Sequence, residues 1–233
     1  PVELADVKIQ DDFWLPRIKI NHETGIRHAF EKCDQTGSLA NFDKATGVIS
    51  GEHRGTLAND SDVYKVIEGA AYSLQHHPDS KLEAYVDKLI DRIIAAQQPD
   101  GYLNTYFTVK EPDKRWLNLR MWHELYCAGH YFEAAVAYSQ VTGKRKILDS
   151  AVKLADYIDS VFGPGKRYDV PGHEEIELAL IKLYQTTGNE RYLNLSKFFL
   201  DERGYAHGTL RSPFDPNDTS QYDKLSPLVP ARQ

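Results

Sequence analysis

Two histidines have the placement that chemistry at a shared pocket requires. His123 and His173 each follow a long loop, each is followed by glutamate, and each falls in the first turn or so of a segment with helical periodicity. Imidazoles placed at neighbouring helix starts can donate to hydroxyl groups or to a developing anion. The structural alternative is that each caps a helix start or satisfies a buried backbone group. A second set, His123, Cys127 and His130, falls at i, i+4 and i+7, on one face of one predicted helix. That spacing can hold zinc through two imidazoles and a thiolate, but the fourth ligand must come from elsewhere. The string HELYCAGH is not the zinc-protease pattern, because its second histidine comes three residues too late. Cys127 is therefore expected as a small packed residue, and no metal ligand is assigned from the residues alone.

The elements that must position these groups repeat. Residues 134–158 read AAVAYSQVTGKRKILDSAVKLADYI, and residues 178–202 read LALIKLYQTTGNERYLNLSKFFLDE. Each is an apolar-striped helix, a Thr-Gly stop, a short basic or polar turn and a second amphipathic helix. Upstream, AAYSLQHHPDSKLEAYVDKLI repeats the pattern with His77-Pro78-Asp79 in place of Thr-Gly. Hairpins stacked this way form either an open solenoid or a closed α/α barrel. The first helix of each hairpin carries an apolar-Glu-x-Ala tetrad, giving Glu68, Glu133 and Glu177 equivalent positions. These three are read either as solvated or paired structural residues or as a ring of carboxylates facing a lumen.

Along the chain, residues 1–20 read as an extended segment, with Val7 and Ile9 alternating with polar residues. Residues 21–204 read as the helical-hairpin portion and 205–233 as an irregular, Pro-, Asp- and Ser-rich segment. Within the helical portion, residues 39–59 and 99–118 are expected as loops, and Asp60-Ser61-Asp62 as the cap of the next helix. Residues 121–140 are expected as one continuous helix. Aromatic-rich loops as long as 99–118 usually carry function.

Composition removes several classes. The formal net charge of −6 leaves no basic field for nucleic acid. Two cysteines, Cys33 and Cys127, are too few for a disulfide-stapled fold. No apolar run is long enough to span a membrane, and no secretory leader is visible. Localisation is left open between cytoplasm and periplasm. Phosphate-loop, dinucleotide and nucleophile-elbow motifs are absent. The 14 tyrosines and three tryptophans suit a ring-bearing ligand such as a carbohydrate, or simply bridge core and solvent.

Longer strings carry a resemblance. NDSDVYKVIEGAAYSLQHHPD, AAQQPDGYLNTY, HELYCAGHYFEAAVAYSQVTG, PGHEEIELALIKLYQTTGNERYL and the Asp201-Glu202-Arg203-Gly204 stop resemble glycoside hydrolase family 127, in order, over residues 7 to 204. Bacterial β-L-arabinofuranosidases typify that family. The resemblance implies an all-α fold built of helical hairpins of an (α/α)6 barrel, with β-sandwich modules downstream. It also implies retaining hydrolysis that releases L-arabinofuranose or related sugars from plant glycans or glycoproteins. His123 and His173 match histidines lining the family's sugar pocket and are expected to bind substrate. Asp100-Gly101-Tyr102 matches a family string without an assigned contact.

The family's cysteine nucleophile, its zinc held by cysteines and a glutamate, and its acid/base glutamate match no residue here. They are expected beyond Gln233, so this chain supplies no catalytic residue and no cofactor site of its own, and is expected to be inactive alone. About seven helices are counted where a closed barrel needs about twelve. The exposed apolar faces of an incomplete barrel would invite association. Two other classes compete: a degenerate barrel that binds carbohydrate or acts as a scaffold without catalysis, and a helical-repeat interaction protein. The uneven spacing of the equivalent glutamates, 65 and then 44 residues, argues against a regular repeat array.

Overall fold

The computed structural model describes residues 6–203. Among the described residues the fold is all-α, with no strand and one isolated bridge between Phe162 and Arg167. No described helix is long and apolar enough to cross a membrane. The helices are α1 (Trp14–Ile20), α2 (Ile26–Thr36), α3 (Ser38–Ala45), α4 (Asn59–His76), α5 (Ser80–Ala95), α6 (Thr105–Val109), α7 (Leu119–Trp122), α8 (Glu124–Thr142), α9 (Lys146–Val161), α10 (Glu175–Thr187) and α11 (Glu190–Glu202). The three expected hairpins are α4–α5, α8–α9 and α10–α11. Gly143 and Gly188 end α8 and α10 in the left-handed conformation, with φ of 72° and 71°, which glycine adopts without steric cost. In the first hairpin Asp79 does the punctuation from the other side. Its carboxylate caps α5, accepting from the amides of Lys81 and Leu82 at 2.9 and 3.1 Å.

The hairpins form two layers. Helices α4, α8 and α10 lie side by side, with α8 in the middle, and α5, α9 and α11 back them. The middle position explains the composition of α8. It is rich in alanine, and every residue from Tyr131 to Tyr138 is buried. The outer helices bury one face only, as their amphipathic patterns predict. Hydroxyls and cations at the turns join successive outer helices. Tyr138 and Lys144 reach Asp87 of α5, and Tyr192 and Arg191 reach Asp156 of α9.

Five expectations are corrected. The expected loop 99–118 contains α6, which Asn104 caps by accepting the Phe107 amide at 3.2 Å. The segment read as extended, residues 1–20, is helical from Trp14 to Ile20, where Asp11 accepts the amide of Phe13 at 2.8 Å. Pro16 fits because the first turn has no intrahelical donor to lose. The expected loop 39–59 begins with α3, held from outside: Arg92 donates to the Leu39 carbonyl and pairs with Asp43. A helix this short is marginal without tertiary partners, so its local sequence is a weak signal. The expected continuous helix 121–140 is broken at His123, whose φ of 58° separates α7 from α8. Asp60 does not cap α4. It is buried, and its carboxyl accepts the amide and hydroxyl of Thr105 at 2.7 and 2.5 Å. Residues 205–233, expected as irregular, lie outside the described residues.

Two buried acids tie the 99–118 segment down. Asp60 holds its α6 end. Glu124 holds the rest, accepting the Tyr102 hydroxyl at 2.5 Å and the Trp116 amide at 2.7 Å. Trp116 itself is strained, with φ of 64°. Burial outweighs these hydrogen bonds and pushes Glu124 up to about 7, against an ordinary value of 4.5. At the other face of α8, Gly129 sits where a Cβ would lie 2.8 Å from Glu175 Cγ and 3.1 Å from the Ile176 amide. Only glycine lets α10 start this close.

Gly129→Ala is therefore expected to destabilise the chain by about 1–3 kcal/mol, although alanine is the better helix former by about 1 kcal/mol. A urea midpoint that stays or rises would show that α10 yields instead. For Glu124, the folded chain holds a proton that the unfolded chain has lost between about pH 4.5 and 7, so its contribution to stability falls as pH rises through that window. The stability advantage of the wild type over Glu124→Gln should shrink by about 2–3 kcal/mol from about pH 5 to about pH 8. Urea titrations of both proteins across that range measure it, and a constant difference would mean that Glu124 is ionised throughout.

Candidate functional site

Each inner helix carries one stripe of mostly polar side chains on a common face, half-buried or exposed except at the buried Glu133. On α4 it is Lys65, Glu68 and Tyr72; on α8, Tyr126, His130 and Glu133; on α10, Glu175, Leu178 and Lys182. All three stripes follow the three-and-four spacing of one helical face, and their contacts show that they meet. Lys65 Nζ donates to the Tyr126 hydroxyl at 2.8 Å. His130 Nδ1 lies 3.1 Å from Glu175 Oε1. Lys182 pairs with Glu133. The result is a wall of polar side chains on one face of an otherwise apolar layer.

His123 and His173 stand at the head of this wall. His123 occupies the residue before α8, and His173 lies two residues before α10. Their Nε2 atoms are 3.0 Å apart. The Met121 carbonyl lies 2.7 Å from His123 Nδ1, and only a protonated nitrogen can donate to it. In the neutral ring this leaves His123 Nε2 as an acceptor, so His173 Nε2 carries the shared proton. Burial pushes the His123 pKa down, helped by His173 and Lys65. The pair thus presents one N–H and one bare nitrogen to the same point. A hydroxyl group placed between them could accept from one and donate to the other.

Deeper in the wall the charges are balanced by proton placement. Burial and Lys65 lower His130 to about 4, so its imidazole is neutral. Burial, together with a hydrogen bond to Glu133, raises Glu175 to about 8, which keeps it protonated beside an ionised neighbour. Lys65 and Lys182 line the same wall as Glu68 and Glu133, and burial pushes the Glu68 pKa up. Glu68, His130 and Glu133 also form a group with metal-ligand spacing, one donor atom of each lying within 4.8 Å of the others.

The structure brings together the two histidines that the sequence singles out, by way of a chain break rather than a continuous helix. The face shared by His123, Cys127 and His130 does not form. His123 is not helical, and Cys127 is buried with Sγ 4.0 Å from the Leu57 carbonyl. Of the three equivalent glutamates, Glu68 and Glu133 meet in the wall, but Glu177 turns away to buried Arg203 at 3.3 Å. Glu175 takes its place. The Asp100-Gly101-Tyr102 string is structural here, with Gly101 at φ of 98° against the Lys153 carbonyl and Tyr102 buried on Glu124. Lys65, Tyr126, His130, Glu175 and Lys182 belong to the site without having been assigned to it. Their signal was present as polar residues at helical spacing on otherwise apolar helices.

Comparison with known proteins places the chain in a family. The family model for the β-L-arabinofuranosidase GH127 catalytic domain matches residues 6–227. A non-reducing end β-L-arabinofuranosidase of Bifidobacterium longum subsp. longum is 49% identical over 173 residues, which cover 72% of this chain and 26% of that protein. The crystal structure of Ara127N, a GH127 β-L-arabinofuranosidase from Geobacillus stearothermophilus T6, superposes with a TM-score of 0.85 at 44% identity. That match covers 95% of this chain and 35% of the other. A second solved GH127 β-arabinofuranosidase gives 0.82 at 45% identity, covering 88% of this chain and 34% of its own. The chain therefore spans about a third or less of the relatives it matches. With the family model matched over residues 6–227 and this close a superposition at 44% identity, this chain belongs to glycoside hydrolase family 127, as part of its catalytic domain.

Proposed function

We propose that this chain forms the sugar-binding part of the catalytic barrel of a retaining β-L-arabinofuranosidase, in which His123 and His173 hold an L-arabinofuranosyl residue. The observation that carries this reading is the imidazole pair. Its two Nε2 atoms, 3.0 Å apart, offer one donor and one acceptor at a single point above a polar wall. A sugar hydroxyl is both donor and acceptor, so it can enter between the rings and exchange one N–H···N bond for two bonds of its own. The substrate class comes from the relatives, whose names specify β-L-arabinofuranosidase activity.

The residues present do not supply the nucleophile or the zinc that the family resemblance implies. Cys33 and Cys127 are buried on separate helices, and burial pushes both thiols up, away from the thiolate form that attacks carbon or ligates metal. Neither lies in the Glu68–His130–Glu133 group, where Lys182 already neutralises Glu133. No step through zinc is derived for this chain. Its own part is to bind and orient the sugar, while nucleophile and acid/base come from the rest of the longer enzyme.

Two measurements test the division of labour. The 233-residue chain should not hydrolyse an aryl β-L-arabinofuranoside, with or without added zinc. In a nuclear magnetic resonance titration it should still bind L-arabinose, and His123→Ala or His173→Ala should each weaken that binding about tenfold, the loss of one net hydrogen bond in the pocket. Turnover by the chain alone, or binding indifferent to both substitutions, would overturn the proposal.

A further inference from the structure

We infer that Tyr126 is the positioning residue that sets the geometry of the His123–His173 pair, and that Lys65 sets Tyr126; the inference rests on the reading of that pair as the sugar-binding point. The segments that carry the two histidines pack backbone against backbone, a Cβ on Gly172 falling 2.2 Å from the Arg120 carbonyl oxygen, but that contact does not orient the rings. His123 belongs to the break before α8, and His173 to the loop before α10. Apart from the bond between their Nε2 atoms, what the two rings share is Tyr126. Its ring meets His123 edge-on, with centroids 5.6 Å apart at 90°, and meets His173 at 5.1 Å and 50°. One turn further, it meets His130 edge-on at 4.5 Å. A single aromatic ring thus touches all three imidazoles of the wall, and edge-to-face packing of this kind is directional.

Tyr126 is itself fixed at its far end. Lys65 of α4 donates to the Tyr126 hydroxyl at 2.8 Å and to Ser61 Oγ at 3.1 Å. The same ammonium lies 4.7 Å from the centroid of the Tyr126 ring. The tyrosine is therefore clamped between a cation from one inner helix and two imidazoles at the heads of the other two. Its ring cannot turn about χ1 without breaking the hydroxyl bond and opening the imidazole pair. Tyr126 contributes no polar atom to the point between the rings, because its hydroxyl is taken by Lys65. It acts through the histidines.

The test reads the imidazoles directly, without sugar. In the 233-residue chain labelled with 15N-histidine, long-range proton–nitrogen spectra should show His123 as the Nδ1–H tautomer and His173 as the Nε2–H tautomer, each fixed. Tyr126→Leu should replace both with averaged tautomers while circular dichroism stays that of the wild type. Tyr126→Phe keeps the ring but loses the Lys65 bond and should average the tautomers only in part, as Lys65→Met does, and L-arabinose affinity should fall about tenfold in the leucine variant and no more than about threefold in the phenylalanine one. Lys65→Met, a half-buried change that leaves every imidazole in place, should partly average the His173 tautomer and covers the case in which the leucine variant fails to fold. Fixed wild-type tautomers in Tyr126→Leu, or in Lys65→Met should the leucine variant not fold, would overturn the inference. So would a phenylalanine variant as disordered as the leucine one. Wild-type tautomers that are fixed while L-arabinose does not bind would instead refute the sugar-binding reading and leave the positioning role standing.

Discussion

The architecture turns on the confinement of α8. This helix is packed by α4 on one side, α10 on the other and α9 behind, so its side chains have one exit. Small residues make the confinement tight: Ala128, Gly129, Ala134 and Ala135 bring neighbouring backbones close, and at Gly129 the approach of α10 leaves no room for even a methyl group. Whatever is polar on α8 must either leave through that single strip or find a partner inside the protein. Tyr126, His130 and Glu133 take the first course and form the middle of the polar wall. Glu124 takes the second, as a buried acid satisfied by Tyr102 and Trp116.

The same confinement fixes the site's electrostatics. A layer this apolar tolerates few net charges, because burying an unpaired ion costs far more than moving a proton. His130 gives up its proton, Glu175 keeps one, and Lys182 pairs with Glu133. The wall is thereby polar without being strongly charged, which suits hydroxylated neutral ligands better than ions. At its head the two imidazoles meet through their Nε2 atoms, and burial pushes the His123 pKa down.

The loop segment 99–118 shows how function-bearing geometry is held by structural groups. Asp60 and Glu124 are both buried acids with raised pKa values, a pattern often found in catalytic carboxyls. Here each has its oxygens occupied by groups of that segment, and neither opens into the polar wall. Their work is to anchor. Glu124 follows His123 directly, so the clamp that holds Trp116 and Tyr102 also fixes the chain where it breaks out of the helical conformation.

How much could be read in advance follows from what each feature depends on. The hairpins were legible because apolar periodicity, Thr-Gly stops and basic turns are local, and local preferences agree with the fold there. His123 and His173 were legible because each marks the same place in successive repeats. The sequence could not show α3, whose stability comes from Arg92 on a distant helix, nor the end of α7, because a left-handed histidine has no distinctive local signature. It could not choose Glu175 over Glu177, since residues two apart on a helix point about 200° apart and only the packing of α10 against α8 decides which faces the wall. The residue types and their periodicity determined an all-α layer with two histidines at its rim. Only the tertiary structure brought those histidines to 3.0 Å, because the distance between the heads of two helices is set by how closely their backbones pack.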